Sequence, residues 1–157
     1  MKKPLQWIYL GAGLLYVFHL IKLIALLGPI AVMGTIGSPE DTSLSTWTSG
    51  FDLYVSEVSQ SFALSTQYVI YVFAFTAVTS ICCIVTSGYL ALRRKWARTA
   101  LFLLTGIIAL NFVLAKILII RQWSIGDLHL DIVVLHGLVI TIFTRKPIIG
   151  MFGEQKT

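Results

Sequence analysis

Charge is what this chain has least of. Only 12% of its 157 residues are Asp, Glu, Lys or Arg, against the ~25% usual in soluble domains. With 57% hydrophobic residues and a mean hydropathy of +0.85, a water-soluble fold of this size could not hide its apolar surface. An ordinary soluble domain is excluded, and an integral membrane protein is the natural reading. Cysteine is nearly as scarce. Cys82 and Cys83 stand side by side in an apolar run, with no CxxC and no pair able to staple a loop. They read as small packing residues without redox chemistry. Catalytic signatures are missing too: there is no HExxH, no GxSxG, no P-loop and no dinucleotide fingerprint. The expectation leans to a non-enzymatic protein.

Long apolar runs are what the chain does have. They predict an all-α fold with four membrane spans, over about residues 5–28, 67–92, 99–120 and 128–145. Lys2 and Lys3 before the first run suggest a secretory signal, but the run contains His19 and Lys22 and is too long, so it reads as a retained anchor. Pro29 disfavours helical geometry in the residue before it and marks a boundary or kink. An outer loop over about 29–66 follows, rich in Gly, Ser and Thr. Within it Phe51, Tyr54, Val55, Val58 and Phe62 recur at helical spacing. That pattern predicts an amphipathic helix over 51–65, lying on the membrane or extending the second span. The fourth span is shortest. Its uninterrupted apolar core, 132–143, makes about 18 Å of helix. Starting it at Leu128, capped by Asp127 or Ser124, lengthens it and leaves Pro147 just past its end. Gly11, Gly13 and Gly106 are small residues suited to close helix packing.

Charge sorts by side. Lys2, Lys3, Arg93, Arg94, Lys95, Arg98, Arg145, Lys146 and Lys156 fall on one face with a single acid, Glu154. Glu40, Asp41, Asp52, Glu57, Asp127 and Asp131 fall on the other with a single base, Arg121. The positive-inside rule then puts both termini in the cytoplasm. The net charge of +5 goes to lipid headgroups and topology rather than nucleic acid. The densest cluster, Arg93-Arg94-Lys95-Trp96-Ala97-Arg98, is a cytoplasmic turn that anchors the second and third spans.

Four ionisable residues remain inside the spans. Lys22 and Lys116 each lie about 7–9 Å below the outer surface; their long side chains can snorkel, or they can hold an anion such as a lipid phosphate or a carboxylate. Leu20-Ile21-Lys22-Leu23-Ile24 and Leu114-Ala115-Lys116-Ile117-Leu118 match in pattern, with Phe18 answering to Phe112, as a two-plus-two repeat would require. His19 and His136 fall at nearly one depth on oppositely directed helices, and Asn111, Gln67, Tyr68 and Tyr71 lie within a turn or two. This outer polar layer supports three readings: an anion or lipid site at the lysines, haem b held axially by His19 and His136, or a proton or ion path with Asp131 and Glu57 at its mouth. The path has no continuation through the apolar inner half. Asp127-x-His129-x-Asp131 has the composition of a metal site, but residues two apart on a helix point away from each other, so no metal ligand is assigned. An enzyme acting on lipid at the outer face would use Glu57, Asp131 and His129 as acid and base.

Lys95-Trp96-Ala97-Arg98, together with Arg145-Lys146-Pro147 and Phe152, resembles small four-span bacterial inner-membrane proteins that carry a Trp-Ala-Arg cytoplasmic turn. The resemblance covers two short stretches. It implies the topology and a bacterial plasma membrane, and it implies no activity. The leading expectation is an accessory or assembly partner of another membrane protein that binds a lipid or anionic ligand through Lys22 and Lys116. The alternatives are a haem-binding redox or small transport protein and a lipid-directed enzyme.

Overall fold

The computed structural model describes residues 3–37, 44–118 and 130–152, with side chains at 4–35, 46–114 and 132–152. Among the described residues the structure is helical and contains no strand. The helices are α1 (Lys3–Gly37), α2 (Leu44–Phe62), α3 (Thr66–Ala91), α4 (Lys95–Leu118), α5 (Leu130–Phe143) and α6 (Lys146–Met151). Three are long and apolar enough to cross a membrane, over 32, 26 and 20 residues of α1, α3 and α4. At ~1.5 Å per residue each reaches at least the ~30 Å of a hydrocarbon core. α5 is described over 14 residues, about 21 Å. The proposed start at Leu128 and its caps lie outside the described residues.

α1 corrects the expected boundary. It runs through Pro29 and on to Gly37, where the sequence suggested an end near Gly28. Proline removes one backbone donor and crowds the preceding turn, but ending the helix would free several backbone groups at once. In an apolar surrounding that is the costlier outcome.

The amphipathic segment is a separate helix, α2. It begins earlier than the expected 51–65 and is broken from α3 by Ala63, whose φ is 52°. Leu64 N–H bonds the Ser59 carbonyl and Ala63 N–H the Gln60 carbonyl, a Schellman ending. Ser65 then caps α3 by accepting from Tyr68 N–H at 3.3 Å. The basic turn is built the same way. Arg93, at φ 57°, sits where glycine is commonest, with Arg94 N–H on the Tyr89 carbonyl and Arg93 N–H on the Leu90 carbonyl. Trp96 packs on Tyr89 with ring centroids 4.7 Å apart.

The chain divides into two compact units, residues 1–19 with 82–157, and residues 20–81. In the second unit α1 and α2 approach through glycines. A Cβ on Gly50 would collide with the Ile30 carbonyl, and one on Gly34 would lie 2.5 Å from the Thr46 carbonyl oxygen. Phe51 and Tyr54 of α2 set their rings edgewise against Phe73 of α3.

In the first unit the core is a set of stripes at coiled-coil spacing. Ile8, Ala12 and Leu15 line one face of α1; Ala97, Leu101 and Ile108 line α4; Ile132, Val139 and Phe143 line α5. Spacings of three and four residues keep such side chains on one face. Gly11 packs against the Phe143 ring; Gly13 and Gly106, grouped with it as packing glycines, face open space. Pro147 opens α6 rather than merely following α5. α6 buries Ile148 and leads to Phe152, edgewise on Phe143 at 5.9 Å.

Candidate metal centre

Among the polar side chains on the inward stripes of the first unit, four come one each from α1, α3, α4 and α5. His19 continues the stripe of Leu15, four residues on. His136 lies between Ile132 and Val139. Thr105 lies between Leu101 and Ile108. Cys83 shares its face of α3 with Thr86, Ser87 and Leu90, all buried. Helical periodicity therefore aims all four inward.

They meet. His19 Nε2 and His136 Nε2 are 3.0 Å apart, with the rings nearly perpendicular at 84°. Cys83 Sγ is 3.8 Å from His136 Nε2. The three ligand atoms lie within 4.8 Å of one another, and His19, Cys83 and His136 are 1%, 0% and 0% exposed. On its other side, His136 Nδ1 is 2.7 Å from Thr105 Oγ1. Thr105 Oγ1 donates to the Leu101 carbonyl at 2.8 Å.

That last bond assigns the proton positions. A hydroxyl has one hydrogen. Since Thr105 donates it to Leu101, its oxygen accepts from His136, which places the His136 proton on Nδ1 and the lone pair on Nε2. His19 Nε2–H then donates to His136 Nε2. Ligand histidines are commonly oriented this way, with the far nitrogen donating to a fixed acceptor. No buried side-chain nitrogen or oxygen lacks a partner among the described residues. Elsewhere on α3 the buried hydroxyls of Thr79 and Ser87 bond back to the Phe75 and Ile84 carbonyls of their own helix. His19, Cys83 and His136 instead join different helices.

The depth match between His19 and His136 is thus realised as contact. Among the described residues, no other residue singled out in the sequence belongs to this cluster. Lys22 is half-buried on α1 and Asn111 half-buried on α4, and both are engaged in interactions. Gln67 is exposed in the first turn of α3. Tyr71 is exposed and stacks on Phe75 at 5.9 Å. Glu57 is exposed on α2. Lys116 belongs to α4, and Asp131 to α5, but their side chains lie outside the described residues, as do Asp127 and His129 altogether.

Two participants were missed. Cys83 was read as packing, and its buried thiol stands at the histidine pair while Cys82 is exposed. Thr105 was not singled out. Both signals were present: each residue falls on an inward stripe of its helix.

Arg93, Arg94, Lys95, Trp96 and Arg98 form the turn and the start of α4. A cleft of about 390 Å³ is lined by Lys95, Arg98, Thr99, Phe102, Ile149 and Phe152, with the Arg98 guanidinium 5.7 Å from the Phe102 ring centroid. Arg145 lies likewise over Trp7, at 5.3 Å.

Comparison of the chain with protein families, with curated proteins and with solved structures gives no match.

Proposed function

We propose that this is a non-enzymatic integral membrane protein that holds a transition-metal ion between His19, Cys83 and His136. It acts as an accessory protein in a bacterial inner membrane, as a four-helix bundle with both termini cytoplasmic. The observation that carries this reading is the convergence of two imidazoles and a thiol, from three helices, within 4.8 Å. Imidazole and thiolate together form a ligand set for first-row transition metals. Burying three such side chains costs free energy unless they bond each other or an ion. Three apolar helices of spanning length and basic residues concentrated at Arg93–Arg98 support the membrane placement.

Haem b at the same histidines is the weaker reading. Axial ligation by two imidazoles holds their Nε2 atoms ~4 Å apart with a macrocycle between them. Here they are 3.0 Å apart and bonded to each other. A single ion asks far less movement than a haem.

The test is metal content. Protein purified in detergent and exposed to copper, zinc or iron salts is expected to retain one ion per chain. The double variant His19→Leu/His136→Leu is expected to retain none. Equal metal content in both proteins would reject the reading, and a stoichiometric Soret band after haem addition would favour haem in its place.

A lipid reading has its own observation, at a place other than Lys22 and Lys116. The cleft of Lys95, Arg98 and Thr99 with Phe102, Ile149 and Phe152 pairs cationic heads with an apolar floor, which suits an anionic lipid headgroup and the start of its chain. Lys95→Ala/Arg98→Ala is expected to reduce co-purified anionic lipid. Unchanged lipid content would count against it.

A further inference from the structure

We infer that the ion held by His19, Cys83 and His136 is copper(I), bound in a neutral, three-coordinate site. The inference rests on the metal reading above and adds the identity and charge of the ion.

Charge is the first argument. The three side chains are 0–1% exposed, and a net charge in such surroundings is strongly penalised. Two neutral imidazoles and one thiolate carry a charge of minus one. A monovalent cation brings the site to zero, whereas a divalent one leaves it positive. Among the described residues no Asp or Glu belongs to the cluster to absorb that excess. Exchange is also neutral overall. As the copper–sulfur bond forms, the Cys83 S–H bond breaks and its proton leaves to water. One monovalent cation enters and one departs, and no electron moves.

Ligand number and softness agree. Zinc in structural sites takes four ligands in a tetrahedron, while the cluster offers three among the described residues. Thiolate is a soft donor suited to copper(I) and to zinc, and of the two only copper(I) brings the site to zero charge.

The geometry is close to what a trigonal ion needs. With bonds of about 2.0 Å to nitrogen and about 2.3 Å to sulfur, trigonal angles put N–S pairs ~3.7 Å apart and the N–N pair ~3.5 Å apart. Cys83 Sγ is already 3.8 Å from His136 Nε2. The histidine nitrogens, at 3.0 Å, must part by about half an ångström as their hydrogen bond gives way to the ion. His136 needs no proton rearrangement, because Thr105 already holds its proton on Nδ1. His19 moves its proton from Nε2 to Nδ1. Thr105 is thus a positioning residue.

The experiment is an anaerobic titration of the full-length protein in detergent with copper(I), in competition with bicinchoninate, and a parallel titration with zinc(II). Expected are one copper(I) per chain, copper held well above zinc, and X-ray absorption showing two nitrogen and one sulfur scatterers. Cys83→Ser and His136→Ala should each lose stoichiometric copper. Thr105→Val is the mild variant should those fail to fold; it keeps the ligands and should lower copper(I) affinity about 10–100-fold. Zinc bound one per chain with little or no copper(I) would overturn the copper assignment and leave the metal reading standing. Binding of neither ion would overturn the copper assignment, and failure to bind iron as well would overturn the metal reading. Full copper affinity in a folded Cys83→Ser protein, or in Thr105→Val, would overturn the site as drawn.

Discussion

Around Gly34 and Gly50 two helices touch through their backbones; around His136 four helices reach one another through polar side-chain tips. The first contact exists because side chains are absent. Nothing larger than hydrogen fits between α2 and the Ile30 carbonyl, and close backbone approach supplies dispersion contacts without polar groups to satisfy. The second exists because particular side chains are present. It buries two imidazoles and a thiol beside a half-buried hydroxyl, where leucine would serve packing equally well. A structure gains stability from the first kind of contact and gives some up for the second.

The largest effect should come from filling the glycine contact. Gly50→Leu forces α1 and α2 apart, and an overpacking cost of ~3 kcal/mol or more is expected, read as loss of folded protein in size-exclusion chromatography and a lower melting temperature. A variant as stable as the parent would mean the two helices do not approach so closely. Next comes His136→Ala, which leaves His19 and Thr105 without their partner and should destabilise by ~1–3 kcal/mol while abolishing metal binding. The double change His19→Leu/His136→Leu sharpens the contrast. Replacing both partners with apolar groups is near neutral or stabilising, so its melting temperature should equal or exceed the parent's while it binds no metal. A double variant as unstable as His136→Ala would show that the pair serves the fold. Thr105→Val leaves the His136 Nδ1–H without its acceptor and should cost ~1 kcal/mol while weakening metal binding about 10–100-fold, measured by melting and by chelator competition. The smallest effect belongs to Cys82→Ser. Its parent thiol is exposed, and a change within ~0.5 kcal/mol with metal content intact is expected, in contrast to Cys83→Ser.

Much of this was legible in the sequence. Apolar run lengths place α3 and α4 within a few residues of their observed bounds, because ~20 apolar residues have few other uses. Rise per residue brought His19 and His136 to one height. Height is only half of a position on a helix, and azimuth is the other half. Cys83 and Thr105 escaped because they have small, common side chains that a depth argument passes over; the three- and four-residue spacing of their buried neighbours was the missing coordinate. Pro29 misled because a proline's local preference was weighed without the backbone groups that a helix ending would expose. Gly34 and Gly50 lay in a stretch read as loop, where a backbone-to-backbone helix crossing has no sequence signal.

The Thr105 bond has one more consequence. From His19 to His136 to Thr105 to the Leu101 carbonyl, every donor points the same way. A carbonyl accepts but has no proton to hand on. The row of hydrogen bonds is a dead end, and a proton arriving at His19 cannot be relayed out through α4. Four polar side chains are thus set among apolar helices along a one-way row of hydrogen bonds that ends on a backbone carbonyl, so the centre holds protons in place without handing them on through Leu101.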